Sequence, residues 1–120
     1  TMADLVRALP QTWQSPTMSP HCADEIKYDV VERIVKHYSG LYEQGAEIAG
    51  QRMADVITVN GIRIVLDDGT WGLVRASSNK PELVVVVESP TSEANMRAIF
   101  ADIDGLLSKQ QEVGEYNQKI

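Results

Sequence analysis

Between Val56 and Glu88 apolar residues recur at every second position, and turn-forming residues interrupt the run three times. Nothing else in the chain restricts its fold as tightly, because a period of two places alternate side chains on opposite faces of a strand and cannot make one face of a helix. Val56-Ile57-Thr58-Val59 and Ile62-Arg63-Ile64-Val65-Leu66 flank Asn60-Gly61. A two-residue hairpin turn needs positive φ at both positions, and Asn-Gly is the pair that accepts it most readily. Asp67-Asp68-Gly69-Thr70 marks a second turn, leading into Trp71–Ala76. Ser77-Ser78-Asn79-Lys80-Pro81 marks a third, before Leu83–Glu88. The pattern predicts a four-stranded antiparallel meander.

The flanking segments change period. From Asp24 to Tyr38, Ile26, Val30, Val31, Ile34, Val35 and Tyr38 fall on one helical stripe, with Lys27, Glu32, Arg33 and Lys36 mostly outside it. Ser89-Pro90-Thr91-Ser92-Glu93 carries helix-start chemistry: hydroxyl caps, a proline suited to the first turn, and an acid near the positive end of the dipole. Met96, Ile99, Phe100, Ile103, Leu106 and Leu107 continue it as a second apolar stripe. Two amphipathic helices and a sheet that is apolar on one face make an α+β two-layer sandwich, with both helices on the same side.

The remaining segments are read from their punctuation. Leu5, Val6 and Leu9 suggest a short helix that stops at Pro10. Gln11 to His21, with Pro16 and Pro20, reads as an edge strand or extended connector. Ser39 to Asp55, broken by Gly40, Gly45 and Gly50, reads as a long surface loop with one helical turn near Tyr42–Ala49. Gln110 to Ile120 is polar and reads as frayed helix or disorder. The division is therefore 1–10 as the end of a linking helix, 11–109 as one domain, and 110–120 as a polar tail. The start at Thr1-Met2-Ala3, directly in a helical pattern, is expected of a piece of a longer protein.

Charge narrows the possible partners. The net charge of −6 and pI near 4.8 argue against broad nucleic-acid or anionic-membrane binding, which needs a basic surface. The single cysteine, Cys22, cannot form an internal disulfide, and no stretch has the length of a membrane span or the pattern of a signal peptide, so a cytoplasmic setting is expected.

A local anion site remains compatible with that charge. Arg75 and Ser77 are two positions apart and point the same way, about 7 Å apart along the strand, so a guanidinium and a hydroxyl can converge on one tetrahedral oxyanion. Arg75 offers a planar fork suited to phosphate, and Lys80 a mobile point charge. Ser77, Ser78 and Asn79 add neutral donors, and successive amides of a tight loop can form an anion nest. The same residues are ordinary turn formers, so a plain hairpin loop explains them too.

Other candidate chemistry is sparse. His21-Cys22 with Asp24 and Glu25 lacks the closed ligand set of structural zinc; capping and packing at the helix start suit Cys22 and Asp24 better. Asp67-Asp68-Gly69 resembles part of a calcium loop without its alternating oxygens, and a hairpin turn accounts for it. His37 falls on or near the solvated side of its helix, with no exposed nucleophile beside it. Trp13 and Trp71 could stack on a ring, although a tryptophan opening a strand more often belongs to the core.

A longer pattern resembles a known family. Asn60-Gly61-Ile62-Arg63-Ile64, then Asp68-Gly69-Thr70-Trp71-Gly72-Leu73-Val74-Arg75-Ala76-Ser77, then Pro81 and an apolar strand, is similar to the C-terminal domain of the α-D-phosphohexomutases, the phosphomannomutase/phosphoglucomutase group. Ser15-Pro16 and Cys22-Ala23-Asp24-Glu25 match the way into that domain and its first helix. The resemblance covers nearly the whole chain. It implies a TATA-binding-protein-like half, a curved antiparallel sheet with helices on one face. Its loop would grip the phosphate of the sugar that is not being transferred. Arg75 would then be the principal phosphate ligand, Ser77 a hydroxyl donor, and Ser78 and Asn79 further donors. Lys80 stands where many relatives have threonine or glutamate, so its contact with phosphate is left open, and no family role attaches to Ser39–Asp55.

The resemblance also implies what lies elsewhere: a phosphoserine, a magnesium-holding aspartate loop and a sugar-reading loop in other domains, none of whose motifs occurs here. No cofactor is expected in this domain; magnesium and a sugar bisphosphate are expected for the full-length isomerase. The partners would be a phosphosugar and other domains of the same chain, and the domain alone would bind without catalysing. The rival expectation is a freestanding α+β module that binds a protein or an anion.

Overall fold

The computed structural model describes residues 12–120; the helix expected to end at Pro10 lies outside them. Four strands form the expected meander: β4 (Gln51–Ile57), β5 (Ile62–Leu66), β6 (Trp71–Ala76) and β7 (Leu83–Ser89), all antiparallel neighbours. Two short strands extend it, β1 (Trp13–Gln14) beside β7 and β3 (Glu47–Ile48) beside β4, giving the order β1-β7-β6-β5-β4-β3. The proline-bearing lead-in thus runs along an edge, where Met18 bridges Val85. It continues into β2 (Pro20–Cys22), which pairs with β8 (Val113–Tyr116) as a separate ribbon.

Helices α1 (Lys27–Glu43) and α2 (Glu93–Leu107) lie on one face of the meander. Val30, Ile34 and Tyr38 of α1 and Ile99, Ile103 and Leu107 of α2 are essentially fully buried, together with Ile62, Ile64, Val74, Val85 and Val87 of the sheet. Strand alternation sends these sheet residues inward and their neighbours outward. Gly72 marks where α2 comes closest: a Cβ there would lie 2.6 Å from Ile103 Cδ1. The buried Tyr38 hydroxyl donates to Asp102 Oδ1 at 2.7 Å and ties α1 to α2. Burial chiefly, and the Asp102 charge, push this phenol well above the usual tyrosine range.

Ser92 caps α2 as expected of the hydroxyl run: its Oγ accepts from Asn95 N at 3.0 Å. Pro90 precedes the cap rather than occupying the first turn. Asp68, in the β5–β6 turn, braces the same helix start. It accepts from Thr70 N (2.8 Å), Thr91 Oγ1 (2.5 Å) and Asn95 Nδ2 (2.9 Å).

Several expectations are corrected. The segment 39–55 is not a long loop: α1 continues to Glu43 and a β3–β4 hairpin follows. Gly40 sits within the helix, where open space around it imposes no break. Asn60 and Gly61 do take positive φ, 55° and 106°, but the turn spans Thr58–Gly61 rather than two residues. The tail is not frayed helix: β8 pairs with β2, and the Tyr116 ring meets Phe100 edge-on at 6.0 Å. Asp24 caps no helix; it pairs with Lys27 Nζ at 2.8 Å, and the N-cap, Ile26, has no side-chain bond. Trp71 faces away from the helices, its ring under the Arg63 guanidinium (4.6 Å) and its Nε1 donating to Glu88 Oε2 at 2.9 Å. Trp13 packs at the edge of the core.

Candidate functional site

The β6–β7 connection, Ser77 to Glu82, is a braced loop. Ser77 N donates to Glu82 O (2.9 Å) and Glu82 N to Lys80 O (2.8 Å), closing it on itself. Cys22 N donates to Pro81 O at 2.8 Å from the outer ribbon. From α1, Lys27 Nζ donates to Lys80 O at 3.0 Å and to Asp24 Oδ1 at 2.8 Å. Lys27 is only 4% exposed, so its ammonium is committed to these partners rather than to water. Its position on the solvated side of the predicted stripe gave no sign of this. The only signal within reach was Asp24 three residues earlier, an ion-pair spacing.

Arg75 stands at the end of β6, next to the loop. Its Nη1 reaches Ala76 O at 3.3 Å, and among the described residues it pairs with no carboxylate. A guanidinium with so few partners retains most of its donor capacity for a ligand. The β4–β5 hairpin tip leans directly against it. A Cβ on Gly61 would lie 2.3 Å from Val74 O and 2.7 Å from Arg75 Cβ, so this approach requires glycine, as does the positive φ.

These elements enclose a cavity of about 460 Å³. Tyr28 and Val31 of α1 form one wall, the Asn60-Gly61 tip another, and Arg75, Ala76 and Ser78 the third. Of the residues expected at the site, Arg75 and Ser78 line this cavity. Ser77 does not: it is buried, and its hydroxyl lies 3.2 Å from Asn79 Oδ1, to which it donates. Ser78, Asn79 and Lys80 are exposed on the loop. The Lys80 ammonium has no ion pair among the described residues, and it is the main-chain carbonyl of Lys80 that does the bracing. Tyr28, Asn60 and Gly61 were not foreseen as site residues.

The other candidate chemistry does not assemble. Cys22 is fully buried while His21 is exposed, and burial chiefly pushes the Cys22 thiol up. Among the described residues, no group of three His, Cys, Asp or Glu side chains could hold a metal ion, and no helix is long and apolar enough to cross a membrane. His37 is exposed on α1 with its ring edge-on to Tyr38.

Fold and site together define a class: an α+β domain with an under-partnered arginine and a braced polar loop at one end of its sheet. Residues 22–106 match the family profile described as phosphoglucomutase/phosphomannomutase, C-terminal domain, and the chain belongs to that family. It is 33% identical over 92 residues to a phosphopentomutase of Thermococcus kodakarensis, covering 77% of this chain and 19% of that protein. It is 35% identical over 72 residues to a probable phosphoglucosamine mutase of Methanothermobacter thermautotrophicus, covering 60% of this chain and 14% of the other. The chain therefore spans less than a fifth of the length of these curated relatives. A solved phosphoglucomutase/phosphomannomutase family protein from Burkholderia thailandensis superposes with a TM-score of 0.64 at 21% identity, over 96% of this chain and 21% of that one. That likeness bears out the α+β fold.

Proposed function

We propose that this chain is the substrate-phosphate grip of a sugar-phosphate mutase, the C-terminal domain of an isomerase that interconverts hexose 6-phosphate and hexose 1-phosphate. The observation that carries this reading is Arg75, opening with Ser78 onto a cavity of small-molecule size and meeting no carboxylate among the described residues. The guanidinium takes phosphate oxygens as a fork, and the Ser78–Lys80 segment adds donors from its exposed side. Ser77 and Asn79, bonded to each other, hold the loop's shape and can exchange that bond for one to phosphate. Relatives named for a pentose and for an amino sugar widen the sugar class to a phosphorylated aldose.

Holding the phosphate fixes the far end of the sugar and converts binding energy into alignment at the reacting end. Magnesium and the sugar bisphosphate intermediate belong in this reading to other domains of the same chain, and no step is routed through a metal on this one. The test is Arg75→Ala in the full-length mutase. Loss of one charge-assisted bidentate contact should lower kcat/KM by about ten- to a hundredfold, through a lower kcat as well as a higher KM, with folding intact. Wild-type kinetics in that variant would sink the assignment.

A further inference from the structure

The cavity is larger than an anion requires. At about 460 Å³ it falls in the range of small-molecule sites, roughly 300–1,000 Å³. Only one of its three walls carries the residues assigned to phosphate. Resting on the phosphate reading above, we infer that the rest of this cavity is a sugar-ring subsite, with Tyr28 as the platform for the ring and Asn60 as the amide that meets its hydroxyls.

Three observations converge on this. Tyr28 is a large aromatic left 62% exposed on the first turn of α1, and its ring borders the cavity. The Lys27 ammonium lies 5.4 Å from its ring centroid. A sugar presents an apolar C–H face and polar edges, and an aromatic wall with a few placed polar groups is how pockets receive such ligands. Asn60 is held at the rim with φ of 55°, and Gly61 beside it is pressed onto Val74 and Arg75. The backbone that carries the amide is therefore held against Val74 and Arg75, and the exposed Asn60 side chain is anchored close to the guanidinium. Finally, the ring and phosphate parts share one cavity, so a phosphosugar seated on Arg75 and Ser78 extends toward Tyr28 and Asn60.

Two substitutions isolate the subsite. Tyr28→Ala alters an exposed ring, and Asn60→Gly removes the amide while keeping a residue that accepts positive φ. The 120-residue chain, ¹⁵N-labelled, is titrated with glucose 1-phosphate and separately with inorganic phosphate. Both ligands should shift the amides of Arg75–Lys80, and only glucose 1-phosphate should shift Tyr28 and Asn60. Tyr28→Ala should weaken glucose 1-phosphate by about three- to tenfold, the worth of one aromatic contact, while leaving inorganic phosphate within about twofold. Asn60→Gly should act in the same direction. Glucose 1-phosphate shifts confined to Arg75–Lys80, or equal losses for both ligands, would overturn the ring subsite and leave the phosphate grip standing. No shift at Arg75–Lys80 with either ligand would overturn both.

Discussion

Replacing Asp68 by alanine tests how the β5–β6 turn is bound to the start of α2. The wild-type carboxylate accepts hydrogen bonds from Thr70 N, Thr91 Oγ1 and Asn95 Nδ2 at 2.8, 2.5 and 2.9 Å. A hydrogen bond to a charged group contributes about 1.5–3 kcal/mol where water is excluded. Thr91 is exposed and Asn95 partly so, and both donors regain water when the carboxylate is removed. The three bonds together should therefore contribute about 2 kcal/mol, well short of their dry sum. For a domain of this size that lowers Tm by roughly 6–12 °C. Burial acts to raise the Asp68 carboxyl, but the hydrogen bonds from Thr70, Thr91 and Asn95 outweigh it and hold it well below the usual carboxylate range. A folded-state pKa below the unfolded one contributes stability that is complete above about pH 5 and is lost as pH falls through the folded value. Urea unfolding followed by circular dichroism should thus separate wild type from Asp68→Ala near pH 7, and the gap should narrow progressively as pH falls below about 4. A difference below about 0.5 kcal/mol near neutrality, or one that does not change on acidification, would refute the reasoning.

Three further outcomes follow from the packing. Gly72→Ala places a methyl 2.6 Å from Ile103 Cδ1 and 3.3 Å from Ile99 Cδ1. It should destabilise by about 1–2 kcal/mol, and Ile103→Val in the same chain should recover part of that in thermal melts. Tyr38→Phe removes the 2.7 Å bond to Asp102 and should cost about 1 kcal/mol in denaturant titrations. Lys27→Met keeps the buried stem, returns Asp24 to water and leaves Lys80 O its bond from Glu82 N. Global stability should change by less than about 1 kcal/mol, because relief from burying an ammonium offsets the lost pair. The Ser77 amide, by contrast, should exchange its hydrogen about tenfold faster.

The meander was legible because its side chains obey one period over thirty residues and its turns carry residues with narrow conformational preferences. Asn60-Gly61 shows where that reading stops. The backbone angles follow from residue type, but the turn's length was set by the fit of Gly61 against Val74 and Arg75, a contact made across the sheet. The 39–55 segment was misread because glycine was taken as punctuation. Gly40 instead lies within α1, carried by the packing of the stripe that ends in Tyr38. β8 was hidden for a different reason. It has few apolar residues, Val113 and Tyr116 chiefly, and its partner β2 lies about a hundred residues earlier, beyond any local pattern. At the site, Arg75 was readable from the strand–loop pattern and the family motif. The burial of Lys27 was not, since its stabilising partner is a main-chain carbonyl 53 residues away.

The brace on Lys80 O also sets a timescale. A loop tethered to α1 through Lys27, to the outer ribbon through Cys22 and to itself through Ser77 and Glu82 has no free end with which to flap. Nanosecond loop motion is therefore damped, and Arg75 and the loop travel together with the helix and sheet behind them. Under the proposed function, closing a cleft over this loop would then require the domain to move as one body, an event of microseconds to milliseconds. Substitutions within the loop should then change how tightly a ligand is held far more than how fast the cleft opens.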